Sequence, residues 1–404
     1  MIYSSIEKSN RVQEKALTEG RIGNLVLINR FIKAGCFEGM SQGGGVTEQL
    51  IEHHRRIVEG QTAMTTVAYC SVSFDGRAFE HEMWMREEIV PDLKRITTSV
   101  HAEGAAVSIQ LGHCGYFANK QVIQHRPMGA SPKFNLFQLS CCKEMTEKDI
   151  LEKVEDFGRS AELAKEAGFD AIEIHAGHGY LLSQFLSPYT NHRKDNYGGS
   201  LENRVRFPSL VIENIRQKLG PGFPILIKMN QFDGIRGGLQ LEESIKIAQV
   251  FEKAGASAII PSCGFTSKTP LYMLRGNVPT MDMIKNQKKW ISKLGLFLFG
   301  KLLVQQYPYE RLFLLDGAEK IRKAVSIPVI YVGGILDSSD IKMLFDKGFE
   351  FIQLGRSLIH DPDFVKNLSI ANTDDSKCDS CNRCVAAMDA GGVYCVSKEN
   401  GYLN

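Results

Sequence analysis

One short pattern recurs along this chain and limits the folds that it can adopt: a helical segment that ends in glycine, followed by a short apolar strand. The pattern occurs as HRRIVEG before TAMTTVAYC, SVHAEG before AAVSIQLGH, ELAKEAG before AIEIHAG, QVFEKAG before AIIPSCG, and MLFDKG before FIQLGR. Glycine ends helices readily because it adopts the left-handed cap without a steric penalty. We therefore predict left-handed helix ends at Gly60, Gly104, Gly168, Gly255 and Gly348. The strands are continuously apolar, which is typical of a parallel sheet with both faces buried.

Three more apolar segments, RFIKAGC, PILIKMN and PVIYVGG, bring the number of predicted strands to eight. Eight strands that alternate with helices over about 330 residues predict an α/β fold, the (β/α)8 TIM barrel. An open, doubly wound sheet is the alternative, but no GxGxxG motif follows the first strand. We assign residues 1–366 to the barrel, with a capping insertion at about 265–315, and residues 367–404 to a short Cys-rich C-terminal tail.

Composition and charge exclude several classes of protein. The chain has 404 residues, 43% of them hydrophobic and 23% charged, and its net charge of +2 offers no surface for nucleic acid. The first residues, MIYSSIEKSNRVQEKAL, contain no apolar core, so we expect no signal peptide and a reducing, cytoplasmic location. The most apolar run, LGLFLFGKLLV, is too short to span a bilayer, and we interpret it as a buried or lid helix.

In a (β/α)8 barrel, catalytic groups collect at the C-terminal ends of the strands. Polar side chains or glycines occur at these predicted ends: Cys36; Gln110 and His113; His175 and His178; Lys228 and Asn230; Ser262 and Cys263; Gly333 and Gly334; Gly355 and Arg356. A purely structural barrel would not need polar residues at so many of them. We therefore predict an enzyme that acts on a small molecule, with neither nucleic acid nor a membrane as partner. Whether it forms a homo-oligomer is left open.

The last two strand ends predict a phosphate site. Gly333, Gly334 and Gly355 would let backbone N–H groups approach an anion, and Arg356 adds a fork of donors. The alternative is a pair of tight turns with a surface arginine. A phosphate site could hold a phosphorylated substrate or a phosphorylated cofactor.

Lys228 and Gln110 would line the pocket beyond the phosphate. A cation and an amide suit a flat ring with carbonyl and N–H edges, as in a flavin. Taken alone, Lys228 could equally be the Schiff-base lysine of a barrel aldolase. The residues themselves leave both interpretations open.

The segment HGYLLSQFLSPYTNHRKDNYGGSLENRVRF closely resembles the signature of the old yellow enzyme family of FMN-dependent oxidoreductases. NRFIKAG, HAEGAAVSIQLGHCG, VGGI and QLGRSLIHDPD are further matches, so the resemblance covers residues 20 to 366. It implies FMN on the barrel axis, NAD(P)H as an electron donor that uses the substrate pocket by turns, and no separate NAD domain.

The resemblance also implies three catalytic residues. His175 and His178 match a histidine pair that binds the carbonyl oxygen of the substrate, where negative charge develops as hydride reaches the β-carbon. Tyr180 matches the proton donor to the α-carbon, and its neutral hydroxyl suits a general acid. The alternatives are capping or core histidines and a core tyrosine bonded to a backbone carbonyl.

The cofactor contacts that the resemblance implies come from several strand ends. We expect them at Ala34, Cys36, Ala68, Gln110, Lys228, Gly333, Gly334, Gly355 and Arg356. Cys36 would tune the flavin, although the alignment of NRFIKAGCF also permits Phe37 at that place. Arg356 and the glycines would contact the phosphate, and Ala34 and Ala68 would lend backbone groups to the ring.

The C-terminal tail carries four closely spaced cysteines, Cys378, Cys381, Cys384 and Cys395, in the pattern C-x2-C-x2-C-x10-C. Four thiolates can hold zinc or a [4Fe–4S] cluster, and some relatives of the family carry such a cluster after the barrel. Their third cysteine follows after three residues rather than two, and we expect no counterpart of their additional electron-relay domains. A reduced tail packed on the barrel is the alternative.

These observations predict an FMN-dependent oxidoreductase that passes hydride from NAD(P)H through flavin N5 to the β-carbon of an activated alkene. Three alternatives remain on the same scaffold: a flavin-dependent amine dehydrogenase, a reductase of another small electrophile, and a flavoprotein kept for flavin binding or redox sensing. A lysine-based aldolase is the alternative from a different class.

Overall fold

The computed structural model describes residues 15–137, 139–287, 290–370 and 376–397, and these form a closed (β/α)8 barrel. Its parallel strands are β1 (Phe31–Lys33), β2 (Met64–Ser71), β3 (Ala106–Gly112), β4 (Ala171–Ala176), β5 (Ile225–Asn230), β6 (Ala258–Ser262), β7 (Ile330–Val332) and β8 (Phe351–Leu354). Strands β1 to β6 pair in chain order, and β8 pairs with both β1 and β7. A parallel bridge between Ile259 and Val329 closes the ring. The eight predicted strands and the TIM barrel are confirmed.

A helix follows each strand. These helices are α1 (Glu48–Glu59), α2 (Val90–Ala102), α3 (Glu147–Glu166), α4 (Leu201–Leu219), α5 (Leu241–Ala254), α6 (Leu315–Ala324), α7 (Ser338–Asp346) and α8 (Phe364–Ser369). The local sequence sets where they begin. Thr47 caps α1 by accepting a hydrogen bond from the Leu50 N–H, and Thr146 and Asp149 form a capping box at the start of α3. Buried side chains recur at helical spacing, so each of these two helices lays an apolar stripe on the sheet.

Most of the predicted left-handed helix ends are confirmed. The φ angles are positive at Gly104 (75°), Gly168 (90°), Gly255 (109°) and Gly348 (85°). The prediction for Gly60 is wrong, because its φ is −74° and the following Gln61 adopts the left-handed conformation instead. Glycine is required at position 60 for a different reason, because a Cβ there would lie 1.9 Å from the carbonyl oxygen of Pro362.

Short elements cover the two ends of the barrel. A hairpin of Gly20–Ile22 and Leu25–Leu27 lies near the start of β5, where the Asn24 N–H donates to the carbonyl of Gly222. Other short strands are Met83–Trp84, Met128–Gly129, Phe134–Asn135, Ser140–Cys141 and Lys143–Glu144, and other short helices are Lys120–Ile123, Leu181–Leu186 and Arg356–His360.

The predicted capping insertion lies between β6 and α6 and contains the helices Thr280–Asn286 and Trp290–Leu303. The second helix includes most of the apolar run LGLFLFGKLLV, for which the sequence predicts a buried or lid helix; the structure excludes a buried helix and leaves the lid as a prediction. Trp290 is 70% exposed and Phe297 is 71% exposed. In the described part of the chain, no helix combines the length and hydropathy that crossing a membrane requires.

The C-terminal tail packs on the barrel and on the insertion, as far as residues 376–397 describe it; residues 371–375 and 398–404 of the predicted tail lie outside the described residues. The Val393 N–H donates to the carbonyl of Glu38, just after β1. The side chain of Asn286 donates to the carbonyl of Ala386 in the short helix Arg383–Ala387. The tail therefore joins the insertion to the first strand end.

Candidate active site

The C-terminal ends of β1, β7 and β8, together with residues of the insertion and the tail, line a cavity of about 100 Å³. Six of the residues predicted to bind a cofactor line it: Ala34, Cys36, Gly333, Gly334, Gly355 and Arg356. Lys228 and Gln110 do not line the cavity but lie against Gly35, between the lining residues Ala34 and Cys36. The Lys228 Nζ lies 3.5 Å from the Gly35 carbonyl oxygen, and a Cβ on Gly35 would approach the Gln110 Nε2 to 2.7 Å. The structure thus brings eight of the nine predicted residues together, while their binding roles stay predictions.

One end of the cavity has the features of an anion site. Gly334 has a φ of 68°, and a Cβ there would lie 2.6 Å from the Leu312 backbone nitrogen, so this loop requires glycine. The Arg356 guanidinium donates to the Arg275 carbonyl at 2.8 Å and to the Asn382 side chain at 2.7 Å. Arg356 is therefore a fixed, half-buried side chain rather than a surface arginine on a turn.

A buried charge that the sequence analysis missed lies beside Gln353, which lines the cavity. The Glu173 carboxylate on β4 accepts hydrogen bonds from Gln110 on β3 and, at 2.7 Å, from Gln353 on β8. The Lys228 Nζ on β5 lies 2.7 Å from the same carboxylate. Lys228 is thus ion-paired, unlike the unpaired lysine expected of a Schiff-base nucleophile. The Oε1 atom of Gln353 is buried without a hydrogen-bond partner among the described residues, and Gln353 lines the cavity.

Ala68 was expected to lend backbone groups to the flavin ring, but its N–H and its carbonyl are both bonded to Glu38 already. The Ala68 N–H donates to the Glu38 carboxylate at 3.0 Å, and its carbonyl accepts from the Glu38 N–H at 3.3 Å. Burial raises the pKa of Glu38 to about 7, against the lowering effect of the neighbouring Lys33 ammonium. Glu38 is a second residue that sequence reasoning missed, and it fixes the strand end where Ala68 lies.

His175 and His178 lie against each other at the end of β4. The His175 Nε2 is 3.2 Å from the His178 Nδ1, and the His178 Nε2 is 2.7 Å from the Ser262 hydroxyl. The His178 N–H donates to the Asn230 side chain at 3.0 Å, which fixes the backbone at a φ of 57°. Asn230 and Ser262 end the next two strands, so the strand-end residues predicted from the sequence do meet.

The hydrogen bonds of this histidine pair assign its protons. The Nδ1 of His175 accepts from the Gly177 N–H, so its Nε2 carries the proton. In this structure the Nε2–H of His175 then donates to the Nδ1 of His178, and the Nε2–H of His178 donates to the Ser262 hydroxyl. When Ser262 instead donates to the Nε2 of His178, the proton of His178 lies on Nδ1, and both facing nitrogens can donate to an oxygen placed between them. Burial lowers the pKa of His178 to about 3 and that of His175 well below its usual value, and Lys228 adds to both effects. Both rings are therefore neutral at ordinary pH.

Tyr180 stands next to the histidine pair. Its ring centroid lies 4.8 Å from that of His175 and 5.7 Å from that of Tyr69, on which it stacks. Burial raises the pKa of Tyr180, with smaller contributions from Cys114 and Glu82, so its hydroxyl stays protonated. The structure therefore brings the three predicted catalytic residues together in one cluster.

The structure separates Cys36 and Phe37, which the sequence left as alternatives for one place. Cys36 lines the cavity described above, and a Cβ on Gly355 would lie 3.3 Å from its sulfur. Phe37 instead stacks on Phe79 at 5.2 Å and belongs to the cluster that includes Tyr180. Phe37 thus lies on the side of the predicted catalytic residues.

The four tail cysteines line a second cavity, which Arg356 separates from the first. The His360 Nδ1 lies 3.2 Å from the Cys395 sulfur. However, among the described residues no group of three or more His, Cys, Asp or Glu side chains is placed to hold a metal ion. The predicted zinc or iron–sulfur site at Cys378, Cys381, Cys384 and Cys395 is therefore not supported, and the four are free thiols in this structure.

Comparison with known proteins gives a consistent family. The NADH:flavin oxidoreductase / NADH oxidase family matches residues 21–264. The chain is 38% identical over 380 residues to 4,4'-dithiodibutanoate disulfide reductase of Rhodococcus erythropolis, and the alignment covers 94% of each chain. It is 30% identical over 371 residues to NADH oxidase of Thermoanaerobacter brockii, covering 90% of this chain and 52% of that one. The chain thus spans about half the length of the second relative.

Solved structures agree on the fold. A 2-naphthoyl-CoA reductase superposes with a TM-score of 0.81 at 23% identity, over 94% of this chain and 56% of that one. The old yellow enzyme homologue from Zymomonas mobilis gives a TM-score of 0.72 at 20% identity, over 90% of this chain and 95% of that one. These similarities support the barrel and the arrangement of its strands.

We predict that Glu173→Gln lowers the free energy of unfolding by about 3–5 kcal/mol, because it leaves Lys228 charged and buried without a counter-ion. Urea denaturation measures the loss. The control is Asp316→Asn, which breaks the exposed pair with Lys320 and should cost less than about 0.5 kcal/mol. Equal effects of the two substitutions would contradict the assignment, and a double variant that adds Lys228→Met should recover part of the loss.

Proposed function

We propose that this chain, which belongs to the NADH:flavin oxidoreductase / NADH oxidase family, reduces an activated alkene of the enone or enoate type. The electrons come from NAD(P)H. The family consists of NAD(P)H-dependent flavin oxidoreductases, so the class of enzyme and the cofactor FMN follow from membership. The relatives range from a disulfide reductase to NADPH dehydrogenases, so membership does not fix the substrate. The proposed substrate class rests on the donors in the site.

The cavity residues fit FMN. Arg356 and the glycine loops suit its phosphate, while Gln110 and Lys228 suit the polar edges of its ring. The unpaired Gln353 Oε1 needs a donor, and a flavin ring carries an N–H. The chemistry that FMN supplies when bound is hydride transfer from NAD(P)H to the β-carbon of the alkene.

The observation that carries the proposal is that the His175 Nε2 and the His178 Nδ1 of two neutral rings face each other 3.2 Å apart. When a ligand oxygen is bound, the Ser262 hydroxyl can donate to the His178 Nε2, so that both facing nitrogens carry protons. Together they can bind one carbonyl oxygen. As negative charge develops on that oxygen, the two donors stabilise it from fixed positions, because Ser262 bonds to the His178 ring and Asn230 bonds to the His178 backbone N–H. Each such hydrogen bond contributes about 1.5–3 kcal/mol to a charged acceptor.

Tyr180 supplies the proton in this proposal. Its raised pKa keeps the hydroxyl protonated, and the resulting weak acid can still protonate a strongly basic carbanion. Stacking on Tyr69 and the edge contact with His175 hold the ring in place. Oxygen binding and proton delivery therefore come from adjacent side chains, as a carbonyl conjugated to an alkene requires.

Reduction of a small organic disulfide is the second candidate. It is favoured by the similarity to 4,4'-dithiodibutanoate disulfide reductase, which extends over nearly the whole of both chains. A disulfide also needs a hydride and a proton, and the same tyrosine could protonate the departing thiolate. The free thiols of the tail are not needed for this reaction.

We expect the holoenzyme, reduced anaerobically with NADH or NADPH, to be reoxidised by 2-cyclohexenone. Stopped-flow absorbance of the flavin measures the rate, and 4,4'-dithiodibutanoate serves as the competing oxidant. Rapid reoxidation by the disulfide together with none by any enone would overturn the first candidate in favour of the second. Protein that binds no flavin on reconstitution would exclude both candidates.

Tyr180→Phe should leave reduction of the flavin by NAD(P)H within about two-fold of the wild type, while reoxidation by the enone slows by about 10²–10⁴-fold, because only the second step needs a general acid. The two half-reactions are measured separately by stopped flow. Tyr69→Phe is the matched control, since it keeps the stacked ring. An equal loss in both half-reactions would indicate that Tyr180 has a packing role.

Replacing His175 and His178 together by Ala should leave FMN bound but weaken the binding of phenols, which we expect to place their oxygen between the two donors. The charge-transfer absorption of the phenol complex measures the affinity.

Because burial lowers both pKa values, neither ring should gain a proton until the pH falls towards 3, so the KM of the wild type for a neutral enone should be flat between about pH 5 and 8. A transition in KM centred near the ordinary histidine pKa of 6.5 would contradict the assignment.

A further inference from the structure

We propose that the C-terminal tail is part of the cofactor site and that Asn382 is a positioning residue that holds Arg356 ready for the phosphate of FMN. This inference rests on FMN as the cofactor and does not depend on which substrate is reduced. It gives the tail a function that requires no metal.

The Asn382 side chain forms hydrogen bonds through both its nitrogen and its oxygen, and it is almost fully buried. Its amide nitrogen donates to the carbonyls of Arg275 at 3.1 Å and Asn277 at 3.0 Å. Its oxygen accepts from the Arg356 Nη1 at 2.7 Å. Asn382 has a φ of 58°, a left-handed conformation that asparagine tolerates better than most residues. One side chain of the tail thus joins the capping insertion to the last strand end.

The hydrogen bonds of Arg356 show which part of the guanidinium is left for a ligand. Both N–H groups of Nη1 are used, by Asn382 and by the Arg275 carbonyl at 2.8 Å, and Nη2 donates to the Leu274 carbonyl. A guanidinium has five N–H groups. The bonds to the described residues therefore leave the N–H of Nε and one N–H of Nη2, which lie on the same edge of the planar group. That edge makes the bidentate contact with phosphate oxygens.

The remaining contacts of the tail place it at the cavity wall. Cys378 and Ser380 line the same cavity as Arg356 and the glycine loops. The Ser380 carbonyl accepts from the Asn277 N–H at 3.1 Å, and a Cβ on Gly276 would lie 2.1 Å from that oxygen. The tail and the insertion therefore approach each other as closely as two backbones can, directly beside the arginine.

It follows that loosening the tail should release Arg356 from its fixed orientation and weaken the retention of FMN. The phosphate would then meet a mobile arginine, and ordering that side chain on binding costs conformational entropy. Because Cys378 lines this cavity and the cavity of the four cysteines alike, it is placed to report on the presence of the cofactor.

The experiment measures FMN affinity by recovery of flavin fluorescence when the holoenzyme is diluted. Asn382→Gly removes the side chain and keeps the left-handed backbone, and we expect it to raise the Kd for FMN about ten-fold or more, since it frees a hydrogen-bonded charged group. The control is Arg383→Ala, which breaks the contact between the tail and Asp282 at 3.1 Å but leaves Arg356 untouched, and it should change the Kd little.

A double-mutant cycle separates positioning from a general structural role. In an Arg356→Ala background, Asn382→Gly should cause little further loss of FMN affinity, because it acts through the arginine. Additive losses, or an unchanged Kd for Asn382→Gly alone, would overturn the proposal. A protein that binds FMN tightly but reduces neither enones nor disulfides would instead contradict only the proposed substrates.

A measurement on the wild type covers the case in which Asn382→Gly does not fold. Saturating FMN should slow the alkylation of Cys378 by iodoacetamide several-fold relative to the protein freed of flavin, as followed by peptide mass spectrometry. The exposed Cys141, which lies in a different part of the chain, serves as the internal control and should react equally in both forms. Equal alkylation of Cys378 with and without FMN would contradict the placement of the tail in the cofactor site.

Discussion

A carboxylate buried on the axis of the barrel is the constraint on which the rest of the site depends. Glu173 is completely removed from solvent, so its charge must be compensated from within the barrel. Its partners, Gln110, Lys228 and Gln353, come from three other strands. The carboxylate therefore fixes the relative positions of β3, β4, β5 and β8 at the level of the cavity. The His175 backbone lies in register with Lys228, so the histidine pair inherits its position from the same array.

The sequence was sufficient for the strands because the information for them is local. An apolar run after a helix-ending glycine is visible in one stretch of chain, and the five such runs and the three further apolar segments all form barrel strands. The strand ends could also be placed, since the fold brings them to one face. Glu173 could not be assigned, because within AIEIHA it is one polar residue whose partners lie 63 and 180 positions away. The prediction of a left-handed helix end at Gly60 was wrong for a similar reason. Pro362, which contacts Gly60, is distant in the sequence, and only the folded chain shows the close contact.

The tail illustrates how spacing alone can mislead. Four cysteines within a short segment predict a metal site, yet the side chain with the most consequential contacts in that segment is the asparagine between two of them. Asn382 bonds to the insertion and to Arg356, which are separated from each other by about 80 residues. No periodicity or motif in one segment could show this link. The insertion, whose sequence offered only its apolar character, likewise acquires a defined place through contact with the tail.

The histidine pair has one further consequence, which concerns the kind of atom that the pocket accepts. Both rings are neutral, and once Ser262 donates to the His178 Nε2, both facing nitrogens can act as hydrogen-bond donors. A carbonyl, carboxylate or phenolate oxygen satisfies both donors at once, whereas an ammonium group or an amine N–H would place donor against donor. The pocket thus selects ligands by whether they can accept hydrogen bonds, in addition to selecting them by size and shape. It favours oxygen acceptors over the ammonium form of an amine, and because reduction of an alkene leaves the carbonyl in place, the product can bind there as the substrate does.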